Sequence, residues 1–169
     1  MTRTGWTRGL LWLAVFGWAI GLGAKIFDLL VLGSAWGASP PASLALMPYG
    51  PKYPVDPGTF FQPLSALMLL PSVGALISGW KTPWSYRVWL LMPALAFLVI
   101  WIFTPTVFWP MIRELYLGGT GKLARTPAEL VAVVHRWFVW DSARIVMIAV
   151  GFYASVRALS SSVPQQRPT

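Results

Sequence analysis

Four long apolar stretches, separated by polar connections, dominate the hydrophobic pattern of this chain. They cover residues 9–32, 60–80, 88–109 and 137–159. A helix needs about 20 mostly apolar residues to cross the hydrocarbon core of a bilayer, and each stretch reaches that length. The pattern therefore predicts an all-α integral membrane protein, a four-helix bundle that crosses the membrane four times.

Prolines interrupt two of these stretches. Pro63 and Pro71 lie in the second, and Pro93 and Pro105 lie in the third. In water they would break a helix, but membrane helices tolerate proline when neighbouring groups satisfy the freed carbonyl oxygens. We therefore expect these two spans to be kinked helices.

The connections between the spans differ in character. Residues 33–59 form a long loop rich in Pro, Gly and Tyr between helices 1 and 2, and loops of this length are typically functional segments or lids. Before the fourth span, Thr126, Pro127 and Glu129 have the spacing of a capping box with a first-turn proline. This spacing predicts a short amphipathic helix before helix 4.

We predict a membrane span near the N-terminus and a disordered tail at the C-terminus. The stretch 9–32 is longer than the apolar region of a signal peptide and contains Lys25 and Asp28, which favours a retained span. The last residues, 160–169, are polar, and we predict a disordered tail. Residues 1–159 are then predicted to form a single four-span domain.

The amino-acid composition also favours a membrane protein. Of its 169 residues, 56% are hydrophobic and 11% are charged, whereas soluble domains carry roughly 25% charged residues. The net charge of +8 comes from basic residues scattered singly between apolar segments. This dispersion is typical of residues that flank membrane spans, so we expect membrane lipids and no nucleic acid among the partners.

The absence of cysteine and the presence of one histidine limit the available chemistry. Without cysteine there are no disulfides, thiol redox centres or iron–sulfur clusters. A single histidine does not supply a multi-histidine metal site, and five acidic residues offer few oxygen ligands. We therefore predict no metal site and no cofactor.

The distribution of Lys and Arg predicts the orientation of the spans. With the N-terminus inside, six basic residues fall on the inner side and five on the outer side, and the short basic turn at residues 81–87 lies inside. Short loops carry the most weight in the positive-inside rule. We expect both termini inside, in a multi-pass protein of the bacterial inner membrane.

Ionisable residues inside a span are costly and by default mark a functional site. Lys25 lies roughly 24 Å from the inner edge of a ~30 Å core, and Asp141 and Arg144 lie roughly 6 and 10 Å below its outer edge. Together with Asp28, these residues fall in one outer layer. The layer predicts a neutral quartet that joins the first and fourth helices, with Trp137 above it.

Two interpretations of this layer stay open. In the structural one, the two intrahelical ion pairs neutralise each other, while His135 and neighbouring tryptophans anchor the helix at the headgroups. In the other, the quartet lines a pocket, because Gln62, Thr104 and the long loop fall at the same depth.

The second half of the chain resembles a known family. A span ends in "TPTVFWP", a polar stretch follows, and "WDSAR" opens the last span. This order is similar to a widespread family of small four-helix membrane proteins of unknown function that includes the anthrone oxygenases. The matching residues are Thr104, Phe108, Pro110, Trp137 and Arg144. Asp141 stands where the family usually has Asn, and the Lys25–Asp28 pair is a feature of this chain.

The resemblance implies a cofactor-independent oxygenase that oxidises an activated carbon of a hydrophobic aromatic molecule, anthrone-like or quinol-like, with O₂. Asp141 or His135 would take a proton, and Arg144, Lys25 and Asp28 would complete the catalytic cluster. The substrate-binding residues would be Trp137, Trp140, Thr104, Phe108, Trp109, Gln62 and Tyr53, together with Trp36 and Tyr49.

A non-enzymatic function is the alternative. The eleven tryptophans suit contacts with lipid or an aromatic pigment. The chain would then be a lipid- or pigment-binding protein, an accessory subunit of a membrane protein complex, or a homo-oligomer. A transporter is disfavoured, because the polar layer is short and the inner halves of the spans are apolar.

Overall fold

A computed structural model describes residues 3–50 and 52–161, and all regular elements within these ranges are helical. The elements are α1 (Arg3–Phe27), a π-helical segment (Asp28–Gly33), α2 (Ser34–Gly37), a 3₁₀ helix (Ala42–Leu46), α3 (Pro57–Ser78), α4 (Trp84–Phe103), a second π-helical segment (Thr104–Phe108), α5 (Trp109–Gly119) and α6 (Pro127–Ser160). The prediction of an all-α chain is confirmed for the described residues.

In the part of the chain that the structure describes, four helical runs are long and apolar enough to cross a membrane. They are Gly5–Gly37, Pro57–Ser78, Trp84–Gly119 and Pro127–Ser160. Large apolar side chains remain on their outer surfaces, and Leu70, Ile77 and Trp101 are each about two thirds exposed. Such surfaces are suited to contact with lipid, as expected of helices that could cross a membrane. The runs extend beyond three of the four predicted spans because helix continues into their polar flanks.

The prediction of a separate amphipathic helix before helix 4 is wrong. The capping box itself is confirmed, because the Thr126 amide donates to Glu129 Oε2 at 2.7 Å and the Glu129 amide donates to Thr126 Oγ1 at 3.3 Å. However, no proline follows Pro127 in this stretch, so the helix that starts there continues without a break as α6. Of the predicted tail, residues 162–169 lie outside the described residues.

The connection between the first two long helices is more ordered than its composition predicts. α2 and the 3₁₀ helix lie within it, and Trp36, Leu44 and Met47 are buried. The Ser43 hydroxyl donates to the Trp36 carbonyl oxygen at 2.7 Å, which ties the 3₁₀ helix to α2. The segment therefore packs into a hydrophobic core that it shares with α5 and α6.

Threonine side chains lie around the proline of the second π-helical segment. Pro105 has no N–H to donate, so an acceptor one turn earlier loses its backbone partner. The Thr104 hydroxyl donates to the Ile100 carbonyl oxygen at 2.8 Å, and the Thr106 hydroxyl donates to the Ile102 carbonyl oxygen at 2.8 Å. These bonds satisfy carbonyl groups next to the irregular turn. Pro63, Pro71 and Pro93 lie inside α3 and α4.

Backbone contacts divide the chain into two compact units. The first unit comprises Met1–Leu22, Phe61–Val99 and Val146–Thr169, and the second comprises Gly23–Phe60 and Ile100–Ile145. The bundle arrangement of the four helices and the single four-span domain stay predictions.

Glycines allow close helix packing in the first unit. A Cβ atom built on Gly17 would lie 2.8 Å from the Leu67 carbonyl oxygen, and one built on Gly151 would lie 2.6 Å from the Trp18 ring. The Trp18 indole donates to Ser72 Oγ at 3.1 Å. Helix backbones therefore approach each other closely here, as is common between membrane helices.

Replacing Gly17 by Ala should destabilise the protein by about 1–3 kcal/mol, because the new methyl group would meet backbone that does not move easily. The matched control is Gly9→Ala, where nothing lies within 4 Å of the position that a Cβ atom would take. That variant should be neutral or slightly more stable, since Ala is the better helix former. Thermal unfolding in detergent compares the two, and equal midpoints would contradict the packing described here.

Candidate functional site

Four ionisable side chains of the second unit form a buried cluster. Lys25 lies in the last turn of α1, Asp28 is the first residue of the π-helical segment that follows, and Asp141 and Arg144 share a face of α6. The side chain of Asp141 is completely buried, and those of the other three are at most 12% exposed. These residues are called the charge cluster below.

Asp141 is the centre of the charge cluster. Its Oδ1 forms an ion pair with Lys25 Nζ at 3.1 Å and accepts a hydrogen bond from Arg144 Nε at 2.9 Å, and it also contacts the Arg144 Nη2 group. Lys25 Nζ lies 2.5 Å from Asp28 Oδ2. Two cations and two carboxylates give a formal charge of zero, which limits the cost of burying them. The structure thus brings together the four residues that the sequence placed in one layer.

Two buried polar atoms beside these ion pairs have no hydrogen-bonding partner among the described residues. One is Asp141 Oδ2, an acceptor, and the other is Trp137 Nε1, a donor. The two residues are one turn apart on α6, so they share a face of the helix. Leaving a buried donor or acceptor unsatisfied costs about 1–3 kcal/mol for each group. A ligand with an adjacent donor and acceptor would satisfy both.

Aromatic rings surround the cations of the charge cluster. Lys25 Nζ lies 5.6 Å from the centroid of the Trp137 ring, and Arg144 Cζ lies 3.7 Å from that of Phe108. Trp137 packs edge-to-face on Trp36 at 4.7 Å, and Phe108 packs in the same way on Phe103 at 5.8 Å. Both cations therefore face aromatic rings, which attract positive charge.

Both π-helical segments supply residues to this site. Asp28 opens the first segment, and Phe108 closes the second. Single π-helical turns inside α-helices often mark functional sites, because they shift side chains away from the regular helical face. Each segment here presents one residue that contacts or belongs to the charge cluster.

An open groove of about 350 Å³ lies on the surface of the second unit. Its lining residues are Tyr49, Gly50, Asp56, Trp109, Ile112, Arg113 and Tyr116. Burial, followed by the negative charge of Asp28, raises the pKa of the Tyr49 phenol well above its ordinary value. Tyr49 therefore stays neutral at physiological pH and can donate a hydrogen bond.

Several predicted site residues are at least partly exposed or serve other contacts. His135 is exposed on α6, and Gln62 is exposed in the first unit. The Thr104 hydroxyl is bonded to the Ile100 carbonyl oxygen. Tyr53 is half-buried in the loop.

The two remaining predicted aromatic residues are partly exposed. Trp140 is 40% exposed and packs on Phe103 at 5.1 Å, and Trp109 is 63% exposed and lines the groove. Phe103, which joins Trp140 to Phe108, was not among the predicted residues. Its position directly before Thr104, at the end of an aromatic-rich span, is the signal that could have indicated it.

Within residues 3–50 and 52–161, no group of three or more His, Asp or Glu side chains could hold a metal ion. The two carboxylates of the charge cluster already bind Lys25 and Arg144.

Comparison of the chain with known protein families, with curated proteins and with solved structures finds no match. The fold and the site define a helical protein whose described residues contain four candidate membrane spans and a buried charge cluster with a formal charge of zero.

Replacing Asp141 by Ala should lower the free energy of unfolding by about 3–5 kcal/mol, since it leaves buried cations without their shared carboxylate. The control is Glu114→Ala, which removes a partly exposed partner of Arg125 at 2.8 Å. Its effect should be below about 1 kcal/mol. Denaturant unfolding in mixed micelles measures both, and similar losses would contradict the central role of Asp141.

Tyr49 should remain protonated in the folded protein at pH values where an ordinary tyrosine ionises. Because its folded pKa lies above the ordinary value of 10.0, its contribution to stability is fully present below about pH 10 and declines at higher pH. Near pH 11, folded wild-type protein and Tyr49→Phe should show equal phenolate absorbance in the near ultraviolet. In denaturant the wild type should gain the signal of one more tyrosine, and a difference already present in the folded proteins would contradict the burial of Tyr49.

Proposed function

We propose that the charge cluster binds and deprotonates a flat, hydrophobic aromatic hydroxy-ketone, and that the protein is a cofactor-independent oxygenase of the anthrone oxygenase kind. The observation that carries the proposal is the unsatisfied pair on α6, Asp141 Oδ2 and Trp137 Nε1. A phenol that donates to the carboxylate and a neighbouring carbonyl that accepts from the indole would satisfy both atoms.

The surroundings of the pair suit such a molecule. Trp36, Phe103 and Phe108 offer ring faces and edges for an aromatic plane. Lys25 and Arg144 place two positive charges where a deprotonated substrate would carry negative charge. Neutral Tyr49 adds a hydrogen-bond donor beside the cluster. The resemblance of "TPTVFWP" and "WDSAR" to the anthrone oxygenase family supports the same substrate class.

The proposed reaction uses O₂ as its oxidant and needs no reductant. Asp141 Oδ2 would take one proton from the phenolic enol tautomer of the substrate, which gives the same delocalised anion as loss of a proton from the activated methylene carbon, and Arg144 and Lys25 would stabilise this anion. This carbanion would transfer an electron to O₂ and combine with it to give a peroxide, which is then protonated. Loss of water from the hydroperoxide, with the second methylene proton, leaves a ketone. The sum is one methylene and O₂ converted into one carbonyl and water.

Location and orientation belong to the same proposal. The protein would lie in the bacterial inner membrane as a bundle of four spans, with both termini inside. The charge cluster would then lie in the outer leaflet, where a hydrophobic aromatic molecule dissolved in lipid can reach it. Dissolved O₂ is also concentrated in hydrocarbon, so both reactants would meet there.

The test is turnover of a dihydroxyanthrone by the purified protein in detergent, followed by O₂ uptake and quinone absorbance above autoxidation. Asp141→Asn should lower the rate about a hundredfold or more, as expected for loss of a general base. Glu114→Gln, which removes a carboxylate distant from the cluster in sequence and in contacts, should leave the rate unchanged. A wild-type rate equal to autoxidation would overturn the proposal.

A second variant distinguishes loss of substrate binding from loss of folding. Trp137→Phe removes the unsatisfied indole N–H without changing the charge of the cluster. It should weaken binding of the anthrone, measured by quenching of tryptophan fluorescence, while the melting temperature stays near that of the wild type. Unchanged binding would overturn the assignment of Trp137.

A non-enzymatic binder of lipid or pigment, or an accessory subunit, is the second candidate function. It is favoured by the complete burial of Asp141, since the ion pairs close the cluster without a ligand. Binding of an aromatic molecule without O₂ uptake, or co-purification of a stoichiometric partner protein, would favour this candidate over the oxygenase.

A further inference from the structure

The first unit contains no acidic residue. All five Asp and Glu residues, namely Asp28, Asp56, Glu114, Glu129 and Asp141, lie in the second unit. The described part of the first unit nevertheless carries the cations Arg8, Arg87 and Arg157, among others. These positive charges therefore have no acidic side chain within their own unit.

Contacts within the first unit bring the segments that carry these cations to one end. Thr7 Oγ1 and Ser78 Oγ are 2.8 Å apart, which joins the start of α1 to the end of α3. The Tyr86 hydroxyl donates to the Ala158 carbonyl oxygen at 3.1 Å, which joins the start of α4 to the end of α6. Arg157 lies 5.5 Å from the centroid of the Trp89 ring.

Arg87 is held in place at this end by two tryptophans. Its Cζ lies 5.1 Å from the centroid of the Trp80 ring and 5.4 Å from that of Trp84. Its Nη1 donates to the Trp80 carbonyl oxygen at 2.9 Å. Both rings are more than half exposed, so they present an aromatic surface next to a fixed guanidinium group. A guanidinium group fixed in this way loses little freedom when it binds an anion.

We propose that Arg87, Trp80 and Trp84 form a site for the phosphate group of an anionic phospholipid. A guanidinium group binds phosphate oxygens through strong, charge-assisted hydrogen bonds. Indole rings prefer the headgroup level of a bilayer, where their flat faces pack on glycerol and the upper acyl chains. The surplus of positive charge at this end selects an anionic lipid over a zwitterionic one. This site is independent of the charge cluster and of the oxygenase proposal.

The experiment uses the full chain reconstituted in bilayers of equal parts phosphatidylglycerol and phosphatidylcholine, with native mass spectrometry of the lipids that stay bound. The wild type should retain phosphatidylglycerol preferentially. Arg87→Gln should weaken that retention about fivefold, from the loss of one interfacial charge. Arg113→Gln removes the same charge from the second unit and should leave the preference unchanged.

Two further variants separate a specific site from a general effect of charge. Arg87→Lys keeps the charge but not the planar guanidinium group, and Trp84→Leu keeps the charge but removes one ring, so both should also reduce retention. Retention by Arg87→Gln equal to that by Arg113→Gln would overturn the proposal. If Arg87→Lys retained the lipid as well as the wild type does, the proposal would likewise be overturned, because charge alone would then explain the binding. Displacement of the lipid by millimolar inorganic phosphate would overturn the choice of a lipid over free phosphate.

Discussion

The need to neutralise Asp141 inside an apolar protein is the constraint on which the second unit depends. A carboxylate with no solvent exposure is tolerated only when opposite charge and hydrogen bonds offset the loss of hydration. Lys25 and Arg144 both meet this need at Oδ1. Because Lys25 belongs to α1 and Asp141 to α6, their contact fixes the register between the two helices. That register in turn sets the position of Trp137 relative to Lys25.

Close approach of the same two helical runs makes this contact feasible. A Cβ atom on Gly33 would lie 3.2 Å from the Trp137 ring, and one on Gly37 would lie 2.9 Å from Phe138. Larger residues at these glycines would push the run that follows Lys25 away from α6. The glycines and the ion pair therefore act together, since small residues permit the approach that the charges require. The unsatisfied oxygen of Asp141 remains because both cations converge on the other oxygen.

The sequence predicted the four long helices and the members of the charge cluster, because both follow from regular helix geometry. Hydropathy located the helices, and the spacings i, i+3 and i, i+4, i+7 placed Lys25, Asp28, Asp141 and Arg144 on defined faces at one depth. The same geometry places His135 on a different face of α6 from Asp141, because six residues correspond to a rotation of roughly 240° around the helix. The π-helical segments were not predicted, because they depend on tertiary contacts of irregular backbone.

The two units differ in the groups that contact their positively charged side chains. In the second unit, carboxylates of the same unit pair with Lys25, Arg144 and Arg125. Pairing within the unit allows these charges to be buried in an apolar protein. The first unit has no acidic side chain, and its Arg87 guanidinium group lies between the rings of Trp80 and Trp84 instead. The acidic side chains are confined to the second unit, so the two proposed sites differ in their chemistry: one is an electrically neutral cluster, and the other is a guanidinium group held between tryptophans.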